Sequence, residues 1–332
     1  MPARLTVYLA DRPARVLTLS EEAELVVGRD PAGGVFVDDS RVSRRHARLR
    51  RGAEGWEISD LGSKNGTLVD GVPASPRLPL AARSWLSLGG VLASFEVLSE
   101  GQHHQDTDAQ TERRRSTLAA RRRLAAAGSL DAVVLGLLDS AIQLARAERG
   151  FVLLARPDGE LAVAAARGLA DGELGGTEFS GSIGAVARAL ETRRVVVTAD
   201  ALADPALGGR ASVVRGGIRA LACVPLAPLQ AVTPLAPIAL SAGGPALDRC
   251  LGALYADSRR PGSAFTELDV EILEALASQA ARAIATAHLD EEMARLLADV
   301  EAVSGRAPLL WSELLAAHGT AGGTARQEGP GG

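Results

Sequence analysis

The amino-acid sequence predicts a multidomain chain: an all-β domain, then an α+β domain, then a long C-terminal helix. Short apolar runs separated by glycine and asparagine turns fill residues 1–99, which is typical of an antiparallel sandwich. Helical and strand-like patterns mix over residues 129–290, and an apolar stripe with helical spacing starts at Leu268. A chain of 332 residues is long enough for two domains of ordinary size.

Composition narrows the classes of function. The chain is 47% apolar, which is enough to form hydrophobic cores. Its net charge of -4 argues against a protein whose whole surface binds nucleic acid. The N-terminus has no apolar run typical of a signal peptide, so we expect a cytoplasmic protein. The uncharged stretch 220–247 is interrupted by prolines, among them Pro225, Pro228, Pro234 and Pro237, which favour a loop over a membrane span. We therefore expect neither nucleic acid nor membrane as a partner.

The strands of the first domain can be followed along the chain. Leu5, Val7 and Leu9 alternate onto one face, and a second run begins at Val16. Further apolar runs lie at 25–27, 35–37, 47–49, 56–58, 85–88 and 91–97. The Gly89-Gly90 pair between the last two runs predicts a hairpin.

Three motifs stand in order on this β background. They are Gly28-Arg29, Ser43-Arg44-Arg45-His46 and Asp60-Leu-Gly-Ser-Lys-Asn-Gly-Thr67. Together they resemble the forkhead-associated (FHA) domain over residues 1–99. The resemblance implies an eleven-stranded β-sandwich that binds phosphothreonine peptides through loops at one end.

The resemblance also implies roles for individual residues. It assigns phosphopeptide contacts to Arg29, Ser43, Arg44, Lys64 and Asn65. It assigns structural support of the site to Gly28, His46 and Gly66. Arg29 would contact the phosphate, Ser43 would donate its hydroxyl, and Asn65 would bond the peptide backbone. This agrees with the chemistry, because a phosphate dianion needs fixed cations and hydroxyl or amide donors.

One position departs from the FHA pattern. Lys64, the only lysine of the chain, stands where the family commonly has a threonine or serine that touches the phosphate. A lysine would either replace that hydrogen bond by charge or turn into solvent, and the sequence leaves both open. We expect Arg41, Arg48, Arg50 and Arg51 to form a solvated face.

Residues 100–128 are predicted to be a polar linker followed by a basic helix. Residues 101–110 are polar and without period, and arginine triplets at 113–115 and 121–123 belong to a helix that ends near Ala127. Thr107 and Thr111 lie in this acidic stretch and are candidate phosphorylation sites. A phosphate there would be a ligand for the FHA site of the same chain or of a second copy.

The second domain resembles a GAF domain. An amphipathic helix at 130–147 precedes a hairpin across Pro157-Asp158-Gly159, and later strands carry Gly217-Ile-Arg-Ala-Leu-Ala-Cys-Val-Pro-Leu226 and Leu251-Gly-Ala-Leu-Tyr-Ala-Asp-Ser258. The resemblance covers residues 129–290 and implies a six-stranded antiparallel sheet with packed helices. It does not specify a ligand, because the family includes small-molecule sensors and purely dimerising modules.

An enzyme is not expected. P-loop, GxGxxG, HExxH and GxSxG motifs are absent, and nothing indicates a metal or cofactor. The alternative is a GAF-fold reductase of free methionine sulfoxide that would use Cys223 and Cys250, expected in neighbouring strands. We favour burial of both cysteines as small apolar residues.

The C-terminal helix predicts a partner helix. Thr266 and Asp269 form a capping-box-like start, and a helix that reaches Val300 would be about 50 Å long at about 1.5 Å per residue. This exceeds one compact domain, so we expect a homodimer through the GAF domain and the C-terminal helices. Residues 291–332 are assigned to a helical extension and a glycine-rich disordered tail.

These features together predict a phosphothreonine-dependent signalling adaptor. Its FHA domain would dock a threonine-phosphorylated protein, a Ser/Thr kinase or its substrate, and its GAF domain would sense a small molecule or dimerise. A transcriptional co-regulator without its own output domain is the other alternative.

Overall fold

The computed structural model describes residues 1–20, 24–156, 160–169, 183–199, 217–227, 250–260 and 263–304. The chain divides into one compact unit at Met1–Ile284 and a second at Ala285–Gly332. The turn expected at 157–159, most of the loop expected within 220–247 and the expected glycine-rich tail lie outside the described residues.

The first domain is built from eleven strands, as expected. They are β1 (Ala3–Tyr8), β2 (Arg15–Leu19), β3 (Glu24–Gly28), β4 (Gly34–Phe36), β5 (Ala47–Gly52), β6 (Gly55–Asp60), β7 (Thr67–Val69), β8 (Val72–Pro73), β9 (Leu78–Pro79), β10 (Arg83–Leu88) and β11 (Val91–Val97). One sheet has the order β2-β1-β11-β10-β7-β8 and the other β4-β3-β5-β6-β9. Only the pairing of β3 with β4 is parallel among these strands.

The core of this domain follows from the alternation seen in the sequence. Every second side chain of β1 is buried, and these side chains share a core with Trp56 and Phe95. The two rings meet edge to face with centroids 5.8 Å apart, a favoured aromatic geometry. β11 starts directly after Gly89-Gly90 and ends at Val97. The Gly89-Gly90 turn therefore lies at one end of the sandwich, and the start of the next helix lies beyond the other.

A single helix replaces the expected linker. α1 spans Glu100–Ala125, and Ser99 caps it: the Ser99 hydroxyl accepts a bond from the Gln102 amide, and the Gln102 side chain accepts one from the Ser99 amide. This capping box is the signal that periodicity could not give, because the first seventeen residues of α1 contain no buried side chain. Burial begins at Thr117.

The α+β domain has helices on both faces of an antiparallel sheet. Its elements are α2 (Leu130–Ala145), β12 (Arg149–Ala155), β13 (Leu161–Arg167), α3 (Ile183–Thr192), β14 (Val196–Thr198), β15 (Ala220–Leu226), β16 (Gly252–Ser258) and α4 (Glu267–Ser304). The sheet order is β13-β12-β16-β15-β14, five strands within the described residues where six were expected. Val152, Val224 and Leu254 face α1, α2 and α4, whereas Phe151, Cys223 and Tyr255 face α3.

A buried ion pair fixes the register of the two central strands. Arg149 and Asp257 lie opposite each other in β12 and β16, and two bonds of 2.7 Å join the guanidinium to the carboxylate. Burial raises the pKa of Asp257, and the bonds from Arg149 oppose that shift. Because each charge would be costly to bury alone, the pair favours the one register in which both are satisfied.

Main-chain bonds join the two domains within the first unit. The Ala14 amide donates to the Phe265 carbonyl at 2.8 Å, and the Glu267 amide donates to the Ala14 carbonyl at 3.3 Å. The start of α4 is capped as expected, since the Thr266 hydroxyl donates to the Asp269 carboxylate at 2.6 Å. Arg113 of α1 bonds the same carboxylate and the Leu144 carbonyl, so α1, α2 and α4 meet at one arginine.

The second unit begins within α4. From Leu289 to Val300 this helix carries large exposed apolar side chains: Leu289, Met293, Leu296, Leu297 and Val300. Across the described part of the chain, every helix is either too short or too polar to cross a membrane.

Candidate functional site

Four loops meet at the end of the sandwich where β11 begins. The Arg29 amide donates to the Ser43 carbonyl at 3.0 Å, which joins the β3–β4 and β4–β5 loops. The Lys64 amide donates to the Ser43 hydroxyl at 3.1 Å, which brings in the β6–β7 loop. The Gly89 amide donates to the Gly66 carbonyl at 3.0 Å and adds the β10–β11 turn. The five residues assigned to phosphopeptide contacts therefore come from adjoining loops.

His46 connects two of these loops from inside. Its ring is fully buried, Nδ1 accepts a bond from the Ser43 amide at 3.0 Å, and Nε2 lies 3.1 Å from the Gly66 carbonyl oxygen. Because Nδ1 accepts, the hydrogen of the neutral ring is on Nε2, which donates to Gly66. The imidazole thus holds the Ser43 loop and the Gly66 loop at a fixed separation.

Two glycines of these loops are required, one by a close approach and one by its backbone conformation. A Cβ on Gly28 would lie 2.1 Å from the Arg44 carbonyl oxygen, so a larger residue would push apart the loop that carries Ser43. Gly66 has a φ of +77°, in the left-handed region that favours glycine.

Asp60 organises the β6–β7 loop, and the sequence analysis did not single it out. Its Oδ1 accepts bonds from the Ser63 hydroxyl at 2.6 Å and the Thr67 hydroxyl at 2.7 Å. Its Oδ2 accepts bonds from the Gly62 and Ser63 amides, each at 2.9 Å. Desolvation alone would raise the pKa of Asp60, but the bonds from Ser63 and Thr67 outweigh it and the pKa lies below its ordinary value. An aspartate followed by glycine and serine is a recognisable turn signal.

Arg41 also takes part in the loop structure, although the sequence analysis expected a solvated role. Its carbonyl oxygen accepts a bond from Asn65 Nδ2 at 2.8 Å. Its guanidinium forms an ion pair with Asp39 at 2.8 Å, and the hydrogen bond from Arg41 lowers the pKa of that carboxyl despite its partial burial. The backbone of Arg41 thereby fixes the orientation of the Asn65 amide.

Several cations of the site have no ion-pair partner among the described residues. Four cations at these loops are exposed and form no ion pair with the described part of the chain: Arg29, Arg44, Arg45 and Lys64. Elsewhere on the domain Arg48, Arg50 and Arg83 each pair with a glutamate. The unpaired cations are concentrated where the loops meet.

The two cysteines do not form a disulfide. Cys223 is buried in β15 opposite Tyr255 of β16, and Cys250 lies just before β16 and not in a strand as expected. Burial raises the pKa of both thiols. Redox chemistry at cysteine requires a thiolate, so this environment argues against the reductase alternative.

The candidate phosphorylation sites lie on α1. Thr107 and Thr111 are exposed, and each hydroxyl donates to the carbonyl four residues earlier at 3.0 Å. In the described ranges, no three His, Cys, Asp or Glu side chains are grouped as metal ligands.

Comparison with known families matches both parts of the chain. The family model of the FHA domain matches residues 25–89, and that of the GAF domain matches residues 129–284. The chain carries an FHA domain followed by a GAF domain. Both resemblances given by the sequence motifs are thereby confirmed.

Curated relatives are similar to the FHA domain. An oxoglutarate dehydrogenase inhibitor of Corynebacterium jeikeium is 44% identical over 55 residues, which are 17% of this chain and 38% of the relative. The glycogen accumulation regulator GarA of Mycobacterium tuberculosis is 42% identical over 55 residues, 17% of this chain and 34% of the relative. The chain spans well under half the length of these relatives.

Solved structures resemble parts of the chain. The FHA domain of the CT664 protein from Chlamydia trachomatis is 28% identical to the matched part of this chain. The match covers 30% of this chain and 100% of that structure, with a TM-score of 0.28. A domain of a two-component sensor histidine kinase protein from Sinorhizobium meliloti 1021 is 20% identical, with coverages of 51% and 98% and a TM-score of 0.35. Because both TM-scores are low, the assignment of the two domains rests on the family models.

The Asp60 turn predicts an acid-sensitive site. Because the folded pKa of Asp60 is below its unfolded value of about 3.9, its stabilisation is complete above that pH and is lost as the pH falls through the folded pKa. Asp60→Asn should remove this part of the pH dependence and cost about 1–3 kcal/mol near pH 7. Urea unfolding followed by tryptophan fluorescence, with Trp56 buried in this domain, measures both effects.

Asp108→Asn is the matched control, because it removes the same charge at an exposed position of α1. An identical pH profile for the wild type and Asp60→Asn would show that this carboxylate does not hold the loop.

Proposed function

We propose that the FHA domain binds a phosphothreonine segment of a partner protein, a Ser/Thr kinase or its substrate, and that the chain is a phosphothreonine-dependent signalling adaptor. The observation that carries this proposal is the half-buried Ser43 hydroxyl, which lies among exposed cations that have no carboxylate partner in the described residues. A dianion is the ligand that neutralises such a cluster.

The contacts already made by the loops leave suitable groups for the ligand. The Ser43 oxygen accepts the Lys64 amide, so the hydroxyl hydrogen is available to donate to a phosphate oxygen. Asn65 uses Nδ2 on the Arg41 carbonyl, so its Oδ1 can accept an amide of the bound peptide. Arg29 and Arg44 supply charge-assisted bonds to the phosphate.

The loops are held before the ligand arrives. His46, Asp60 and the Arg41 carbonyl each restrain one loop, so binding requires little ordering of the backbone. Bonds to a charged group contribute about 1.5–3 kcal/mol each. Three or four of them support roughly micromolar affinity, near -8 kcal/mol.

The names of the relatives fit a binding role without catalysis. One is an inhibitor and the other a regulator. The raised pKa of both thiols supports the same choice over the reductase.

Removal of either main phosphate contact should abolish recognition. Arg29→Ala and Ser43→Ala should each weaken binding of a phosphothreonine peptide at least about tenfold, because each loses a bond to a charged group. Fluorescence anisotropy with a phosphothreonine peptide library and unphosphorylated controls measures this.

Arg77→Ala is the control, since Arg77 is exposed and pairs with Glu57 away from the loops. Equal binding of phosphorylated and unphosphorylated peptides, or full affinity in Arg29→Ala, would overturn the proposal.

We further propose that α4 pairs with α4 of a second copy. Leu289, Met293, Leu296 and Val300 are exposed and follow one another at intervals of four, three and four residues. This is the spacing of a coiled-coil seam, and a second copy presents the same seam. Dimerisation is thus one role for the GAF region, and sensing of a small molecule is the other.

Charge in the seam should prevent the dimer. The double variant Met293→Glu and Leu296→Glu should sediment as a monomer in analytical ultracentrifugation, because each partner would bury carboxylates against the other. Ala294→Glu, exposed and outside the seam, should leave the association unchanged. An unaltered sedimentation coefficient in the double variant would place the dimer contact elsewhere.

We also propose that Thr107 and Thr111 are phosphorylated. Both are exposed, and unwinding the helix around Thr107 to enter a kinase breaks the ion pair of Asp106 with Arg4 but exposes no buried side chain. The phosphate would then be a ligand for an FHA site in the same chain or in a second copy.

Mass spectrometry after incubation with a native Ser/Thr kinase tests these sites. Phosphate is expected on Thr107 or Thr111 and not on Thr117, which is buried on the same helix. Recovery of both peptides without phosphate would exclude α1 as a kinase substrate.

A further inference from the structure

We propose that the FHA site selects phosphothreonine segments whose neighbouring residues are acidic, and that Lys64 and Arg45 recognise those acidic side chains. The inference rests on the proposed function and names the class of segment that the site takes.

The charge balance of the loops is the first step. Arg29, Arg44, Arg45 and Lys64 supply four positive charges that no carboxylate of the described residues neutralises in an ion pair. A phosphothreonine carries only about -1.5 to -2 at pH 7. Its oxygens can form direct ion pairs with only some of these four side chains, and a neutral peptide supplies no carboxylate for the others.

The acidic residues around the loops are already engaged. Asp38 pairs with Arg12 at 2.6 Å, and Asp39 pairs with Arg41 at 2.8 Å. Asp60 accepts bonds within its own turn. Asp30, next to Arg29, accepts the Ala32 amide at 3.0 Å and caps the turn after β3. Within the described residues none of these carboxylates forms an ion pair with Arg45 or Lys64, so a carboxylate of the ligand can do so.

Lys64 is placed to reach beside the phosphate. Its amide is bonded to the Ser43 hydroxyl, so its side chain leaves the backbone next to the group that would donate to the phosphate. The lysine stem is flexible and an extended peptide rises about 3.3 Å per residue, so the ammonium can pair with a carboxylate close to the phosphothreonine. The hydroxyl that the FHA pattern has here would serve the phosphate alone.

Arg45 adds a second cation from the neighbouring loop. It lies between Arg44 and His46, and since the His46 ring is buried between the loops, Arg45 follows a rigid part of the backbone. The Arg45 side chain is exposed. Two cations on two different loops favour carboxylates at more than one peptide position.

Two matched phosphopeptides test the inference. Both carry residues 103–111 of this chain with phosphothreonine at Thr107, which lies between Asp106 and Asp108. One keeps both aspartates and the other has asparagine in their places, so shape is preserved and only charge changes. At low salt the acidic peptide should bind about three- to tenfold tighter, as expected for two exposed ion pairs. The advantage should shrink as salt screens the charges.

Variants assign the preference to its residues. In the full chain, Lys64→Gln together with Arg45→Gln should bring the ratio of the two affinities close to one. Arg122→Gln removes an exposed cation of α1 and should leave the ratio unchanged.

Each outcome has a separate meaning. Equal affinity of the two peptides for the wild-type chain would overturn the acidic preference while leaving phosphothreonine binding intact. A ratio that survives in the double variant would overturn the role of Lys64 and Arg45. Failure of both phosphopeptides, and of the wider phosphothreonine library, would remove the proposed function and this inference together.

Discussion

The bonds of one buried imidazole hold the candidate site together. His46 accepts the Ser43 amide through Nδ1 and donates to the Gly66 carbonyl through Nε2, so its neutral tautomer spans two loops that are far apart in the sequence. Ser43 in turn accepts the Lys64 amide, and Gly66 accepts the Gly89 amide. The positions of the hydroxyl, the amide and the cations all follow from this bridge. A protonated ring could not accept the Ser43 amide, so the arrangement depends on a neutral histidine.

Around this bridge, the carboxylates are used in structural bonds, whereas several cations have no carboxylate partner among the described residues. The ion pairs of Asp38 and Asp39 and the turn of Asp60 use the nearby carboxylates for structure. In the GAF domain, the pair of Arg149 and Asp257 likewise uses both of its charges to set strand register. The cations at the loops are different because none of them forms an ion pair with a carboxylate of the described residues.

The sequence was sufficient for the features that rest on local pattern. Alternating apolar residues predicted the sandwich. The resemblance carried by Gly28-Arg29, Ser43 to His46 and Asn65-Gly66 implied that their loops lie at one end of it. It was insufficient for α1, because a helix without a buried face has no apolar period and only the Ser99 cap marks its start. It also missed Arg41, whose part in the site is played by a backbone carbonyl that any residue could supply. The single arginine that joins α1, α2 and α4 forms tertiary contacts that no local sequence pattern predicts.

The uneven burial of α1 has a mechanical consequence. Its C-terminal part is packed through Thr117, Ala120 and Leu124. The residues from Glu100 to Ser116 contain no buried side chain, and ion pairs such as Asp106 with Arg4 and Arg113 with Asp269 hold them to the rest of the chain. As a helix these seventeen residues span about 26 Å, and as an extended chain about 56 Å. If these ion pairs and the main-chain bonds at Ala14 open, this part of α1 can unwind into an extended segment, and the FHA domain can then move over a distance about twice as great. The volume in which the FHA domain can meet a partner grows roughly with the cube of that distance, although the domain itself does not change.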